Sequence, residues 1–308
     1  MINFRYHIVS LMAVFLALAV GIVLGVTLRP SVDEGLAQQA AQDRKQVQDL
    51  RAELDRRNAL DDYRDAYDAR VGAAVTAGVL NGVRSAIVSM PDAPSAIVSS
   101  VSTAVTEAGG LVTATVKVNQ NAFDPAKVED LNAALSPYAG ALGLNDSMSD
   151  STKFGVALGR AIASKQAGGR DETAVAIGDS LSDAGLITID GDATDSAELI
   201  VVVTAEAADP PTEADLLTAH VGMDVALRSA ASGAVLAGPN SAEIEATDVL
   251  TARNEAEAAD ILSTVDVADL TSGVTTTMLA GKEQLLGRQG HYGAFSKADA
   301  PLPNLPVR

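Results

Sequence analysis

The chain has 308 residues, with 22 Lys or Arg against 40 Asp or Glu, and a formal charge of −18 at pH 7. That balance argues against a nucleic-acid-binding protein, which needs a basic face for phosphates. The absence of cysteine excludes disulfides, thiolate nucleophiles, zinc fingers and iron–sulfur clusters. The length is enough for one large domain or two small ones. Charge divides the chain into zones: residues 1–30 carry Arg5 and Arg29 and no acid, residues 31–70 carry seven basic and ten acidic residues, and residues 71–308 carry 13 basic and 30 acidic residues.

The first zone, 1–30, reads as a membrane anchor. Ile8 to Leu28 holds no charged residue and is closed by Arg29-Pro30. As a helix it would be about 32 Å long, enough for a hydrocarbon core of about 30 Å. A cleaved signal peptide is the competing reading, with Ala17-Leu18-Ala19 as its small-residue site. The apolar run continues nine residues past Ala19, and only Arg5 precedes it, so an uncleaved single-pass anchor is expected. Arg5 on one side against Arg29, Arg44 and Lys45 on the other leaves the orientation open. Ala13, Ala17, Gly21 and Gly25 recur every four residues and form a small-residue stripe. Ala17, Gly21 and Gly25 are therefore candidate helix-packing positions, since small residues let helix backbones approach closely in lipid.

Residues 31–80 read as a rod. Leu36, Ala40, Val47, Leu50 and Leu54 keep a heptad spacing, and the stripe resumes at Leu60, Tyr67 and Val71 after a jump. The seam is thin at Ala40 and Asp43, where a strong zipper would carry Leu. A helix this polar buries little alone, so a coiled coil is expected, with a solvated spacer as the alternative. Its helical length corresponds to a reach of about 60–75 Å.

Residues 81–295 read as an α/β domain, followed by a Pro-rich tail at 296–308. Asn81-Gly82 ends the rod, and strands are expected at Arg84–Ser89 and Leu111–Val118, with a helix from Pro94 to Ala108 between them. Asp124-Pro125 opens a further helix, and 151–184 is helical. Further strands are expected at 186–189, 198–204, 234–237 and 262–265. The Leu-Ile-Val-Val-Val run at 199–203 is central to a parallel sheet. Thr212 with Asp215 suggests a capping box for a helix reaching about Ser229, and a last helix covers about 270–286. The order predicts a layered, Rossmann- or flavodoxin-like α/β fold.

A search for catalytic motifs finds no Gly-x-Gly-x-x-Gly, phosphate loop or Gly-x-Ser-x-Gly elbow. Asp190, Asp192 and Asp195 lack the rest of a calcium loop and read as a solvated turn. His220 and Met223 lie one turn apart, but two ligands do not make a metal site. No catalytic, cofactor-binding or metal-ligating residue is assigned, and an enzyme is not expected.

The opening Ile2-Asn3-Phe4-Arg5-Tyr6-His7, the stretch Asp61–Tyr67, Ser263-Thr264-Val265-Asp266 and Gly290-His291-Tyr292-Gly293 carry a resemblance. Over essentially its whole length the chain resembles the MctB-like actinobacterial envelope family, named for copper transport, whose corynebacterial relatives include the cell-separation factor SteB. The resemblance implies an inner-membrane protein with its C-terminal domain outside, and gives no catalytic residue to carry over. It implies two functions. One is a scaffold, as a dimer within a hetero-oligomer, working with a SteA-like membrane protein and a peptidoglycan hydrolase or its regulator. The other is copper transport, by a carrier or a channel component. Cuprous ion prefers thiolate and thioether ligands, whereas this chain has no cysteine and scatters its methionines at 1, 12, 90, 148, 223 and 278. Five Tyr, five Phe and no Trp are few for the aromatic girdles of a β-barrel. The scaffold is the expected function.

Overall fold

The computed structural model describes residues 4–166, 168–190, 195–240, 246–295 and 297–304, with the backbone alone described at 4–5 and 28–37. The chain divides into two units, Met1–Arg64 and Asp65–Arg308. The described backbone of the first unit lies entirely in helix α1 (Phe4–Thr76), which continues through Pro30 without a break. Tyr6–Thr27 is long and apolar enough to cross a membrane, and all its side chains are exposed. Thr27 satisfies its hydroxyl on the Val23 carbonyl at 2.8 Å, as a polar group facing lipid must. Beyond it, Arg57–Glu53 and Arg64–Asp61 are exposed ion pairs at 2.7 and 2.6 Å, worth little to stability.

The second unit begins with the last turns of α1. Strand β1 (Arg84–Ser89) follows, then α2 (Ser95–Glu107), β2 (Leu111–Val118), α3 (Val128–Leu135), α4 (Ala139–Leu142), α5 (Asp150–Ile162), α6 (Glu172–Asp183) and β3 (Ile187–Asp190). The second half alternates: β4 (Leu199–Val203), α7 (Ala214–Ala230), β5 (Gly233–Ala237), α8 (Asp248–Asn254), α9 (Ala256–Ile261), β6 (Ser263–Val265), α10 (Thr271–Leu285) and β7 (His291–Tyr292). The seven strands lie in the order β3-β2-β1-β4-β5-β6-β7, parallel except for β3, which is antiparallel to β2. Counting the parallel strands alone gives the flavodoxin-like order, and the chain reverses direction between β1 and β4.

The sheet buries both faces. Ile200 and Val202 of β4 point into one core with Ala86, Val88, Val116 and Leu236, covered by α5, α6, α7, α8 and α9. Leu199, Val201 and Val203 point into the other with Ile87 and Val235, covered by α2 and α10. A strand buried on both sides must be apolar at consecutive positions, which is why 199–203 is a continuous run rather than an alternation.

Asp124 caps a short 3₁₀ turn, accepting from the Ala126 amide at 2.8 Å, and α3 starts after it. The expected Thr212 cap is not made: α7 starts at Ala214 behind Glu213 with no side-chain capping bond. Pro210-Pro211 fixes its own φ angles and restricts the residue before each proline, and the helix starts three residues after Pro211.

Ser263–Asp266 and Gly290–Gly293 meet at one edge of the sheet, around Arg253 of α8. Arg253 is buried, donates to Thr264 Oγ1 and Asp266 Oδ2 at 2.7 Å each, and reaches the Tyr292 carbonyl at 2.9 Å. Asp266 also accepts the Ala294 and Phe295 amides at 2.9 and 3.2 Å, and Thr264 bonds His291 Nδ1 at 3.0 Å. Gly293 sits at φ 136°, and a Cβ there would collide with the Asp266 carboxylate. A buried charge needs this density of partners, and removing one of them would strand the others.

Asp224 of α7 is the opposite case. It is fully buried, and among the described residues neither carboxylate oxygen has a hydrogen-bond partner. Burial, with the nearby Asp248 carboxylate second, holds its pKa well above the usual carboxylate range. The folded state therefore keeps a proton that the unfolded chain releases. That stabilisation is full below the ordinary carboxylate pKa and is lost as pH rises through the raised value. Asp224→Asn, neutral at every pH, should raise the melting midpoint relative to wild type by a few °C more at pH 8 than at pH 4, as thermal unfolding by circular dichroism will report. Equal midpoint differences at both pH values would contradict this.

Candidate functional site

The candidate donors singled out from the sequence are engaged in the packing of the second unit. His220 of α7 is buried, its Nδ1 lies 2.9 Å from Asp248 Oδ1, and its ring packs at 4.3 Å from Phe123. Met223 lies in the same core as Met90, and Met278 lies in the other. Their thioethers fill space, the ordinary role of a flexible apolar side chain. Asp190 ends β3, Asp195 bridges to Gly169, and Asp192 lies outside the described residues. Among the described residues, no group of three or more His, Asp or Glu side chains converges as a metal cage would.

The distinctive surface lies on α1. Ala17, Gly21 and Gly25 are exposed on its apolar part, and a Cβ built on either glycine meets nothing within 4 Å. A flat, unobstructed strip of this kind lets another helix approach closely. Of the expected seam, the Leu36 side chain lies outside the described residues. Val47, Leu50, Leu54 and Leu60 are between 46 and 57% exposed, on the helix that makes up all the described backbone of the first unit.

In the second unit the base of α1 has two distinct faces. Gly72 and Thr76 are buried, and a Cβ on Gly72 would collide with the Thr275 hydroxyl of α10. Thr76 turns its hydroxyl back to the Gly72 carbonyl at 2.8 Å, so the docked face is fully satisfied. Tyr67 and Val71 of the seam, with Val75 one turn on, remain 37–56% exposed. At 100° per residue they lie about 120° around the helix from the docked face. The domain therefore grips α1 from one side and leaves its apolar stripe outward.

Val75 extends the seam beyond the residues that spacing alone assigned. The i, i+4 step from Val71 is the spacing signal that places it on the seam. Arg253 was also not singled out from sequence; its signal was a lone cation ahead of the Thr264-Val265-Asp266 segment it binds.

A family model described as "Copper transport outer membrane protein, MctB" matches residues 1–303. Curated relatives named "Copper transporter MctB" from Mycobacterium tuberculosis strain H37Rv and Mycobacterium bovis are each 33% identical over 327 aligned residues, covering 95% of this chain and 96% of the relative. The protein of that name from Mycobacterium leprae is 32% identical over 315 residues, with 96% of each chain covered. Together with the membrane-length apolar helix, a match of this extent is decisive for family: the chain belongs to the MctB family of membrane-associated proteins.

Proposed function

We propose that this protein is a non-catalytic, membrane-anchored envelope scaffold. It pairs through α1 and works with a SteA-like membrane partner to control peptidoglycan hydrolase activity in cell separation. In this reading the anchor lies in the inner membrane, with the α/β unit on its outer side. The observation that carries the proposal is the run of exposed apolar side chains on α1: Val47, Leu50, Leu54 and Leu60 in the first unit, and Tyr67, Val71 and Val75 in the second, where these three are turned away from the face that α10 grips. Exposed side chains at heptad spacing gain most by packing into another helix, so the stripe supports pairing with a second copy or exchange with a partner helix.

Copper transport, the function in the relatives' names, is the second reading, and the near-full-length match favours it. The donor chemistry favours the first. Met90, Met223 and Met278 are at most 1% exposed within the two cores, and His220 Nδ1 is engaged by Asp248. A soft cuprous ion would have to disrupt packed side chains to reach them.

The seam can be tested at constant rod length. Replacing Val47, Leu50, Leu54 and Leu60 with Gln keeps good helix formers while removing the stripe. Daughter cells carrying this variant should remain joined, with the protein still present in membranes; normal separation would reduce the rod to a spacer and end this reading.

Assembly has its own readout. Leu50→Asp with Leu54→Asp, and separately Gly21→Ile with Gly25→Ile, should each lower the yield of cross-linked dimer about tenfold in membranes, a loss of roughly 1.4 kcal/mol in pairing. Undiminished cross-linking in both variants would count against α1 pairing.

For copper, anaerobic titration of the detergent-solubilised full chain with cuprous ion should give no stoichiometric nanomolar binding. Tight binding that disappears with His220→Ala and Met223→Leu would instead support the copper reading.

A further inference from the structure

At the edge of the sheet where β5 and β6 begin, the C-terminal ends of α7, α9 and α10 surround a cavity of about 270 Å³. Lys165, Arg228 and Arg288 line it, with Asp260 as the one carboxylate. This concentration runs against the composition, since residues 71–308 hold 13 basic against 30 acidic side chains. Cations are favoured at helix C-termini, and Arg228 Nη1 does cap α7, donating to the Ala231 carbonyl at 2.9 Å. Capping uses one edge of one guanidinium and leaves the rest of the arrangement unexplained.

Arg228 is held in position. Its Nε donates to Gln284 Oε1 at 3.0 Å, and the Gln284 amide is itself fixed on the Ile261 carbonyl and Ser263 Oγ at 3.0 and 3.1 Å. Gln284 is 2% exposed, so the fork is set by a buried group rather than by solvent. Arg228 is half-buried, and among the described residues no carboxylate pairs with it. Burial lowers its pKa, and the groups that offset this desolvation are the neutral Gln284 and Ala231 oxygens rather than a paired carboxylate. Two neutral contacts occupy Nε and one side of Nη1, leaving the Nη2 side of the fork for a ligand.

We propose that this cavity is a binding site for a doubly charged oxyanion of the phosphate-monoester class. Three cations and Asp260 line the cavity, with Arg288 also 3.8 Å from the Glu283 carboxylate behind the wall, so the positive charge rests chiefly on Lys165 and Arg228. A planar guanidinium fork beside an ammonium suits the several oxygens of a phosphate better than a single carboxylate. Gln289 on the wall adds a neutral hydrogen-bond donor, whereas the Ser229 hydroxyl is already spent on the Val225 carbonyl. The chemistry is common to free phosphate and to a phosphorylated headgroup, and the cavity has room for the ester's first atoms.

The test is isothermal titration of the full chain in a phosphate-free maltoside detergent, with inorganic phosphate, glycerol 3-phosphate and succinate as probes. One saturable phosphate site is expected at pH 7.5, weakened about tenfold or more by Lys165→Gln with Arg288→Gln, both rim residues. Arg228→Lys, which keeps the charge but loses the planar fork, should weaken it severalfold. At pH 5, where a monoester retains one charge, binding of glycerol 3-phosphate should fall severalfold. Tighter binding of the ester than of inorganic phosphate would identify a headgroup-like ligand, and the reverse free phosphate. No saturable binding up to about 10 mM, binding unchanged in the rim variant, or equal affinity for succinate would overturn the proposal.

Discussion

A lone α-helix has no interior, and that constraint governs what this protein can be. From Tyr6 to Thr27 the helix carries apolar side chains all round and no internal partner, so hydrocarbon must supply the missing environment. From Val47 to Val75 the apolar residues narrow to a stripe, which asks for another helix instead. The α/β unit contributes by what it leaves uncovered: close contact at Gly72 fixes the rotation of α1 about its own axis, and that rotation keeps Val71 and Val75 outward. One glycine thus decides which face of the helix remains available.

The second unit achieves rigidity by two different routes. Its centre is apolar on both sides, where β4 is shielded by a helical layer on each face and packing alone defines the geometry. Its edge is ionic: Arg253 and Asp266 tie α8, β6, β7 and the residues after β7 into one satisfied network. Asp224 and Arg228 are the exceptions on α7: among the described residues, a carboxyl without a hydrogen bond and a guanidinium without a paired carboxylate. Such groups are costly to keep, and they mark where titration and anion binding, respectively, have leverage.

Much of this fold was legible because burial imposes a sequence pattern. Leu111–Val118 and Arg84–Ser89 match the strands read from their apolar pattern and their Gly and Pro boundaries, and the 199–203 run lies at the centre of the sheet. α8 and α9 escaped because the segment 248–261 mixes Asp, Glu, Asn and Arg with alanine, and its two helices have only seven and six residues. β7 escaped because two residues carry no periodicity. The seam on α1 was readable from heptad spacing, whereas its orientation was not. Which face docks depends on Thr275, some two hundred residues away in sequence, and no local pattern contains that information.

The two borders of the sheet have a bearing on crowding. A protein confined to a membrane plane meets its neighbours far more often than one in free solution. An open strand border would invite strand-by-strand stacking of one copy on the next. Here the sheet tapers to four residues at β3 on one side and two at β7 on the other, and the segment after β7 is pinned by Asp266. Little backbone is left for templating. Copies held side by side in the bilayer can therefore reach high surface density without polymerising through their sheets.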